Sequence, residues 1–269
     1  MTIFAAIQIT SNDEMDKNLE KSFFYIDEAI KNNAKVICLP EVFTYIGKNK
    51  DKNQYYQKIT GDLVLKLKEI CKKNNVFIIT GSFHESIDNS DKCYNTSLLI
   101  SDQGEILKEY RKIHLFDAVF KNESYRESDS FEAGDLDQLN IVKTPYGNIG
   151  LSICYDLRFA EMYRELSKKG AEIIFVPSAF TMRTGREHWE ILLRARAIEN
   201  QVYIVAPNQF GFHDEKRESY GNTMIVDPWG KIISRASDKE CVVYGDIDLN
   251  YLINVRKSLP CLEHKRIDK

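Results

Sequence analysis

The sequence predicts a layered α/β fold. Three observations predict it. Short apolar runs of strand length alternate with segments whose apolar residues recur at helical spacing. The order βαβαβ followed by a hairpin occurs twice along the 269 residues. No clean linker separates the two halves, so residues 1–269 read as a single domain. Helices that flank short buried strands belong outside the sheet. Helix–strand–strand–helix in each half therefore suggests four layers, two sheets between helices.

The elements follow in order. Residues 3–9 read as a first strand. Leu19, Phe23, Ile26 and Ile30 mark one face of a helix over 16–32. "KVICLP" (35–40) is a buried strand stopped by Pro40. A second helix covers 61–73, with Leu63, Leu67 and Ile70 on one side. "VFIITGSF" (76–83) is another buried strand. Residues 94–112 form a hairpin turning at Asp-Gln-Gly. Residues 113–139 are irregular and too long for a plain connection, which suggests a functional loop. Strands return at 140–143 and 149–154. A helix over 159–169 ends at Gly170, a good residue just past a helix end. "EIIFVP" (172–177) repeats the pattern of "KVICLP". A longer helix at 186–199 leads to a strand at 202–206. Strands near 221–226, 231–235 and 241–247 follow, with "DPWGK" as a turn.

Composition narrows the function classes. At 43% hydrophobic and 29% charged, the chain is ordinary for a soluble globular protein. A net charge of −3 argues against a sequence-independent nucleic-acid binder. "KNKDK" (48–52) mixes both signs of charge and reads as a solvated loop. No run approaches the ~20 apolar residues of a membrane span. The first residues lack the basic region and cleavage pattern of a signal peptide. The six cysteines (38, 71, 93, 154, 241 and 261) are scattered without a C-x-x-C. Free thiols in a reducing, cytoplasmic setting are expected. No HExxH, P-loop or GxGxxG is present, so neither a metal nor a nucleotide cofactor is expected.

Three residues stand where an apolar strand gives way to polar chain. Glu41 follows "VICLP", Lys112 ends the hairpin in "LKEYRKIHLF", and Cys154 follows "GLSI". In open α/β sheets, ligands bind beyond the carboxyl ends of strands. Each residue has a plain alternative. A cysteine in an apolar strand is usually core, and a Glu after a strand or a Lys at a hairpin end is usually solvated. Together they form a coherent chemical set. A thiol with an ordinary pKa near ~8.5 is mostly protonated at neutral pH. A carboxylate can take its proton, and an ammonium can favour the thiolate and then a developing oxyanion. None of the histidines at 84, 114, 188, 213 and 264 follows a strand as Glu41 does. His114 and His188 sit in aromatic, apolar contexts and read as packing residues.

These segments resemble the nitrilase superfamily, the carbon–nitrogen hydrolases. Glu after "LP", Lys in "YRKIHLF" and Cys in "CYDLRF" are similar to that family's Glu–Lys–Cys triad, spaced here by 71 and 42 residues. "PSAF" (177–180), the segment 184–209 and "SYGNTMIVDPWGKII" (219–233) also resemble the family, in family order. The resemblance runs to about residue 266. It implies an αββα sandwich and a cofactor-free amidase working through a cysteine thioester. It implies Cys154 as nucleophile, Glu41 as general base and Lys112 as oxyanion stabiliser, helped by a backbone N–H after Cys154. Glu127 in "YRESDSF" matches the family's second glutamate. Tyr155 and Arg158 of "CYDLRF" are the expected substrate contacts, with Arg158 suited to a carboxylate. Family members commonly form homodimers through the helix after the cysteine and the C-terminal segment.

Within the family, "HLFD" and "CYDLRF" resemble the branch of deaminated-glutathione amidase and omega-amidase. "RESD", "LLRARAIE" and "EKRESYGNTMIVDPWG" lean toward the former. The implied substrate is a small carboxylate-bearing amide, deaminated glutathione first. The alternatives are 2-oxoglutaramate or 2-oxosuccinamate, as in an omega-amidase, or an N-carbamoyl amino acid. A non-catalytic dimeric module of the same fold would need no intact triad and ranks last. Arg183, Arg186, Lys216 and Arg217 read as surface charge, although their loops can reach an anionic substrate. Ala133-Gly134 stands where relatives often carry Pro-Gly, in a loop that shapes the pocket entrance.

Overall fold

Alternate residues of each central strand feed two different cores. In the strand Thr2–Gln8, Phe4 and Ala6 join one apolar cluster while Ala5 and Ile7 join another. Val36–Cys38 and Phe77–Ile79 divide the same way, with Ile37 and Ile78 in the second cluster and their neighbours in the first. Successive strand side chains point to opposite faces, so a sheet of such strands is covered on both sides. The helices Met15–Lys31 and Asp62–Asn74 close the second cluster through Ile26, Ala29, Leu63, Val64, Leu67 and Cys71. A second sheet closes the first, and the rings of Phe4 and Phe175 meet between the sheets at 6.2 Å. Behind that sheet lie the helices Ala160–Lys168 and Glu190–Asn200, which supply Met162, Leu166, Leu193 and Ala197. The layers run helix, sheet, sheet, helix, the αββα sandwich. The computed structural model describes residues 1–47, 54–120 and 123–267. The "KNKDK" segment lies outside the described residues.

Each sheet has three parallel strands at its centre. In the first these are Thr2–Gln8, Val36–Cys38 and Phe77–Ile79. Cys93–Ile100 pairs antiparallel with Phe77–Ile79, Phe83–Ser86 and Ile106–Arg111. In the second they are Gly147–Leu151, Ile173–Phe175 and Tyr203–Ala206. Val142–Thr144 flanks one side of that sheet, and Met224–Val226 and Ile232–Arg235 flank the other. Cys241–Ile247 then crosses back to pair with Thr2–Gln8, which joins the two halves.

The structure departs from the sequence pattern in several places. The expected strand 76–83 breaks at Gly81, whose φ of +61° and position against the Leu39 and Pro40 carbonyls leave no room for a Cβ. The 113–139 segment contains a hairpin, Asp117–Phe120 with Glu123–Arg126, and a short strand, Phe131–Glu132, beside Cys93–Ile100. The expected strand 149–154 ends at Leu151. The helix expected over 186–199 is longer and wider at its start: Met182–Thr184 and a π-helical turn at Gly185–Trp189 run into Glu190–Asn200. The strand near 221–226 shortens to Met224–Val226. Two elements are additional: the ribbon Phe210–Phe212 with Glu218–Tyr220, and the helix Leu249–Ser258. Among the described residues, no helix is long and apolar enough to cross a membrane.

Candidate active site

The ends of three strands meet in a cavity of about 750 Å³. Val36–Cys38 leads through Leu39 and Pro40 to Glu41, Ile106–Arg111 runs into Lys112, and Gly147–Leu151 leads to Cys154. All three residues line the cavity, with Glu127 beside them. Lys112 and Glu41 are only 2% and 4% exposed. The Lys112 Nζ lies 2.9 Å from Glu41 Oε1 and 2.9 Å from both carboxylate oxygens of Glu127. Other donors complete the carboxylates. Asn95 Nδ2 donates to Glu41 Oε1 at 2.9 Å, and the Ala179 N–H donates to Glu41 Oε2 at 2.7 Å. The Phe116 N–H donates to Glu127 Oε2 at 2.6 Å. A buried ion pair is tolerable when its partners are saturated in this way.

Charge in the cavity floor shifts two protons upward. Burial alone would lower the Lys112 pKa, but the carboxylates of Glu127 and Glu41 outweigh it and hold the ammonium well above its usual range. Burial, reinforced by the charge of Glu41 and a hydrogen bond to it, pushes the Cys154 thiol well up, against the pull of Lys112. The resting thiol is therefore protonated and needs a base to ionise it.

The backbone at Cys154 is bent into the left-handed region, with φ of +46°, and Val42 next to Glu41 has the same value. Such conformations cost on the order of 1–3 kcal/mol in non-glycine residues and persist only where surroundings hold them. The holding contacts are visible. Cys154 opens a single 3₁₀ turn, Cys154–Arg158. The fully buried carboxylate of Asp156 accepts from Tyr110 Oη at 2.6 Å, the Ile153 N–H at 2.8 Å, and the His114 N–H at 3.1 Å. The His114 Nδ1 completes the set at 2.7 Å. The Cys154 N–H donates to the Pro177 carbonyl at 2.9 Å. The Arg196 guanidinium clamps the Leu157 carbonyl at 3.0 and 2.9 Å.

The profile of the Carbon-nitrogen hydrolase family matches residues 4–257. This chain belongs to the carbon–nitrogen hydrolase family. As a member it is an amidase of the nitrilase superfamily. A relative named deaminated glutathione amidase, from Dictyostelium discoideum, is 40% identical over 97% of this hydrolase and 92% of its own length. The crystal structure of the C. elegans NitFhit protein superposes with a TM-score of 0.94 at 37% identity, over 98% of this chain and 65% of that chain. Saccharomyces cerevisiae Nit3, described as a member of branch 10 of the nitrilase superfamily, superposes at 0.86 and 29% identity, over 96% of this chain and 94% of its own.

The hydrolase brings Glu41, Lys112, Glu127 and Cys154 together but keeps the side chains of Tyr155 and Arg158 off the cavity wall. The 3₁₀ turn explains this. At about three residues per turn, Tyr155 and Arg158 share a face, a third of a turn from Cys154. The Arg158 guanidinium lies over the rings of Phe180 and Tyr155, 5.1 and 5.8 Å from their centroids. Its Nη1 is 3.1 Å from His188 Nδ1. Lys216 and Arg217, read from sequence as surface charge, line the cavity instead, together with Arg126. Arg183 and Arg186 do not line it. Asn95, Asp156 and the Ala179 N–H were not singled out by sequence. Asn95 left a weak signal, a buried amide inside the strand "CYNTSLLI". Among the described residues, no cluster of three or more His, Cys, Asp or Glu is placed to hold a metal ion.

Proposed function

We propose that this amidase cleaves a small carboxylate-bearing amide through a thioester on Cys154. The observation that carries the reading is the Lys112 ammonium, held at 2.9 Å by Glu41 and Glu127 in the cavity that also exposes the thiol. Glu41 takes the thiol proton as sulfur attacks the amide carbonyl. The oxyanion forms beside Lys112 and the backbone N–H of Tyr155. Collapse expels the amine, which receives the proton from Glu41 and leaves the acyl group on sulfur. Glu41 then takes a proton from water, whose oxygen attacks the thioester; collapse releases the acid and expels the Cys154 thiolate, which takes the proton back from Glu41. Glu127 holds the ammonium in place throughout.

The first substrate is deaminated glutathione, cleaved to 2-oxoglutarate and Cys-Gly. The name of the Dictyostelium relative supports it. So does a cavity of about 750 Å³, ample for a peptide-sized ligand. The protein works in the cytoplasm, as a homodimer of one hydrolase domain spanning 1–269.

Purified protein offered deaminated glutathione and 2-oxoglutaramate decides the substrate. Faster release of 2-oxoglutarate from deaminated glutathione, without ammonia, supports the reading. A preference for 2-oxoglutaramate would move the protein to the omega-amidase activity. Cys154→Ala is expected to abolish turnover while leaving the fold intact, and Glu41→Gln to slow acylation about 10²-fold or more. Parent-like turnover in Cys154→Ala would remove the thioester.

A further inference from the structure

Two hairpins outside the sheets form the mouth of the cavity. One, Asp117–Phe120 with Glu123–Arg126, brings Ser124, Tyr125 and Arg126 to it. The other, Phe210–Phe212 with Glu218–Tyr220, brings Lys216, Arg217 and Glu218. The charges at mouth and floor differ. At the floor, one ammonium faces two carboxylates. Among the described residues that line the mouth, Arg126, Lys216 and Arg217 stand against Glu218. Arg217 is held by Asp214, with Nε 2.7 Å from Oδ2. The other Asp214 oxygen accepts the N–H groups of Lys216 and Arg217 at 2.8 and 2.7 Å. Asp214 thus fixes the backbone that carries Lys216. Arg126 and Lys216 are exposed and have no ion-pair partner among the described residues. One comes from each hairpin.

We infer that Arg126 and Lys216 bind a carboxylate on the leaving amine of the substrate. This rests on the amidase reading above and deepens it. The acyl group must remain on Cys154 while the amine departs, and the amine departs through the mouth. The part of the substrate nearest the mouth is therefore the leaving group. A carboxylate there meets two cations without an ion-pair partner among the described residues, whereas Lys112 at the floor is already paired with Glu41 and Glu127. Arg217, neutralised by Asp214, serves the shape of the turn more than its charge. The selectivity this produces is for amides of amino acids or short peptides with a free carboxyl end, over primary amides that release ammonia.

The test uses the whole protein and a matched pair, deaminated glutathione and its C-terminal carboxamide. The two differ only at the leaving-group carboxylate. The parent is expected to prefer the acid by about tenfold in kcat/KM, through KM, because two charge-assisted hydrogen bonds are lost in the carboxamide. The preference should shrink as salt rises, since the mouth is exposed. In Arg126→Ala/Lys216→Ala the ratio is expected to fall to within about twofold, through a raised KM for the acid. Both residues lie on exposed hairpin positions, so the variant folds. A preference for the acid that survives in the double variant overturns this assignment and leaves the amidase reading standing. Hydrolysis of neither compound overturns the substrate reading and this inference with it.

Discussion

His213 stands in the cavity wall as a neutral imidazole. Its Nδ1–H donates to the Ser11 carbonyl at 2.7 Å, so Nε2 accepts from Ser219 Oγ at 2.8 Å. Burial lowers its pKa to about 4; the Ser11 carbonyl and Asp214 oppose the shift, and Arg217 and Lys21 add to it. The unfolded chain takes up this proton near pH ~6.5. Between those two values the unfolded state binds more protons than the folded one. Stability is then complete above pH ~6.5 and is lost as pH falls toward about 4. From pH ~7 to pH ~5 the loss is about 2 kcal/mol. Urea unfolding at both pH values should show it, and His213→Gln should flatten the dependence. An equal slope in that variant would mean that other groups cause it. The same scale shows what single residues disclose in sequence. Glu41 and Cys154 were legible because each is a reactive group directly after an apolar run, and Lys112 because it ends a hairpin strand. Asn95 and Asp156 were not, because what makes them matter is contact with chain 54 and 46 positions away.

At the level of elements, the 3₁₀ turn Cys154–Arg158 depends on one carboxylate. Asp156 accepts four donors, from Tyr110, Ile153 and His114. Asp156→Asn keeps the shape but turns an NH₂ toward some of those donors. The expected cost is roughly 2–3 kcal/mol in urea unfolding, with a fall in kcat as the bend at Cys154 loosens. Tyr110→Phe removes one donor and should cost less, about 1–2 kcal/mol. If Asp156→Asn matches the parent in stability, the bend is held by the Pro177 and Arg196 contacts instead. Elements were legible wherever burial imposed a period. The helices Met15–Lys31 and Asp62–Asn74 and the strands Thr2–Gln8, Val36–Cys38, Ile173–Phe175 and Tyr203–Ala206 appear within a residue or two of their places, while the strands expected over 76–83 and 149–154 end early. Leu249–Ser258 escaped because only Leu252 and Val255 are buried on it. Its start was nonetheless written in Asp248, whose side chain caps the Asn250 and Tyr251 N–H groups.

The whole molecule raises the question of what covers its outer helices. The repeated βαβαβ order made the two halves visible in sequence. The return of Cys241–Ile247 to the first sheet was not visible, because nothing local records which sheet a strand will join. Oligomerisation is equally non-local, and the resemblance alone supplied that expectation. Ile191 and Ile198, seven residues apart on one helix face, are 69% and 49% exposed, and Trp229 is 57% exposed. Trp229 lies beside them: a Cβ on Gly230 would meet Ile198 Cδ1 at 2.5 Å, and Arg194 Nε donates to the Gly230 carbonyl. Tyr251 stands near the same turn: burial first, and then the charge of Asp227, raise its pKa. Scattered exposed apolar residues need no explanation, but a contiguous group of this kind marks an interaction face. This face lies on Glu190–Asn200 and the turn at Trp229, not on the helix after Cys154 that the resemblance implied; the homodimer proposed above is expected to close over it. Sedimentation equilibrium should then find a dimer for the parent. Trp229→Asp should weaken it about a hundredfold or more, since a central aromatic is replaced by a charge. Circular dichroism should be unchanged, because Trp229 is exposed in the single chain. A dimer of parental affinity in Trp229→Asp would place the interface elsewhere, and a monomeric parent would remove it.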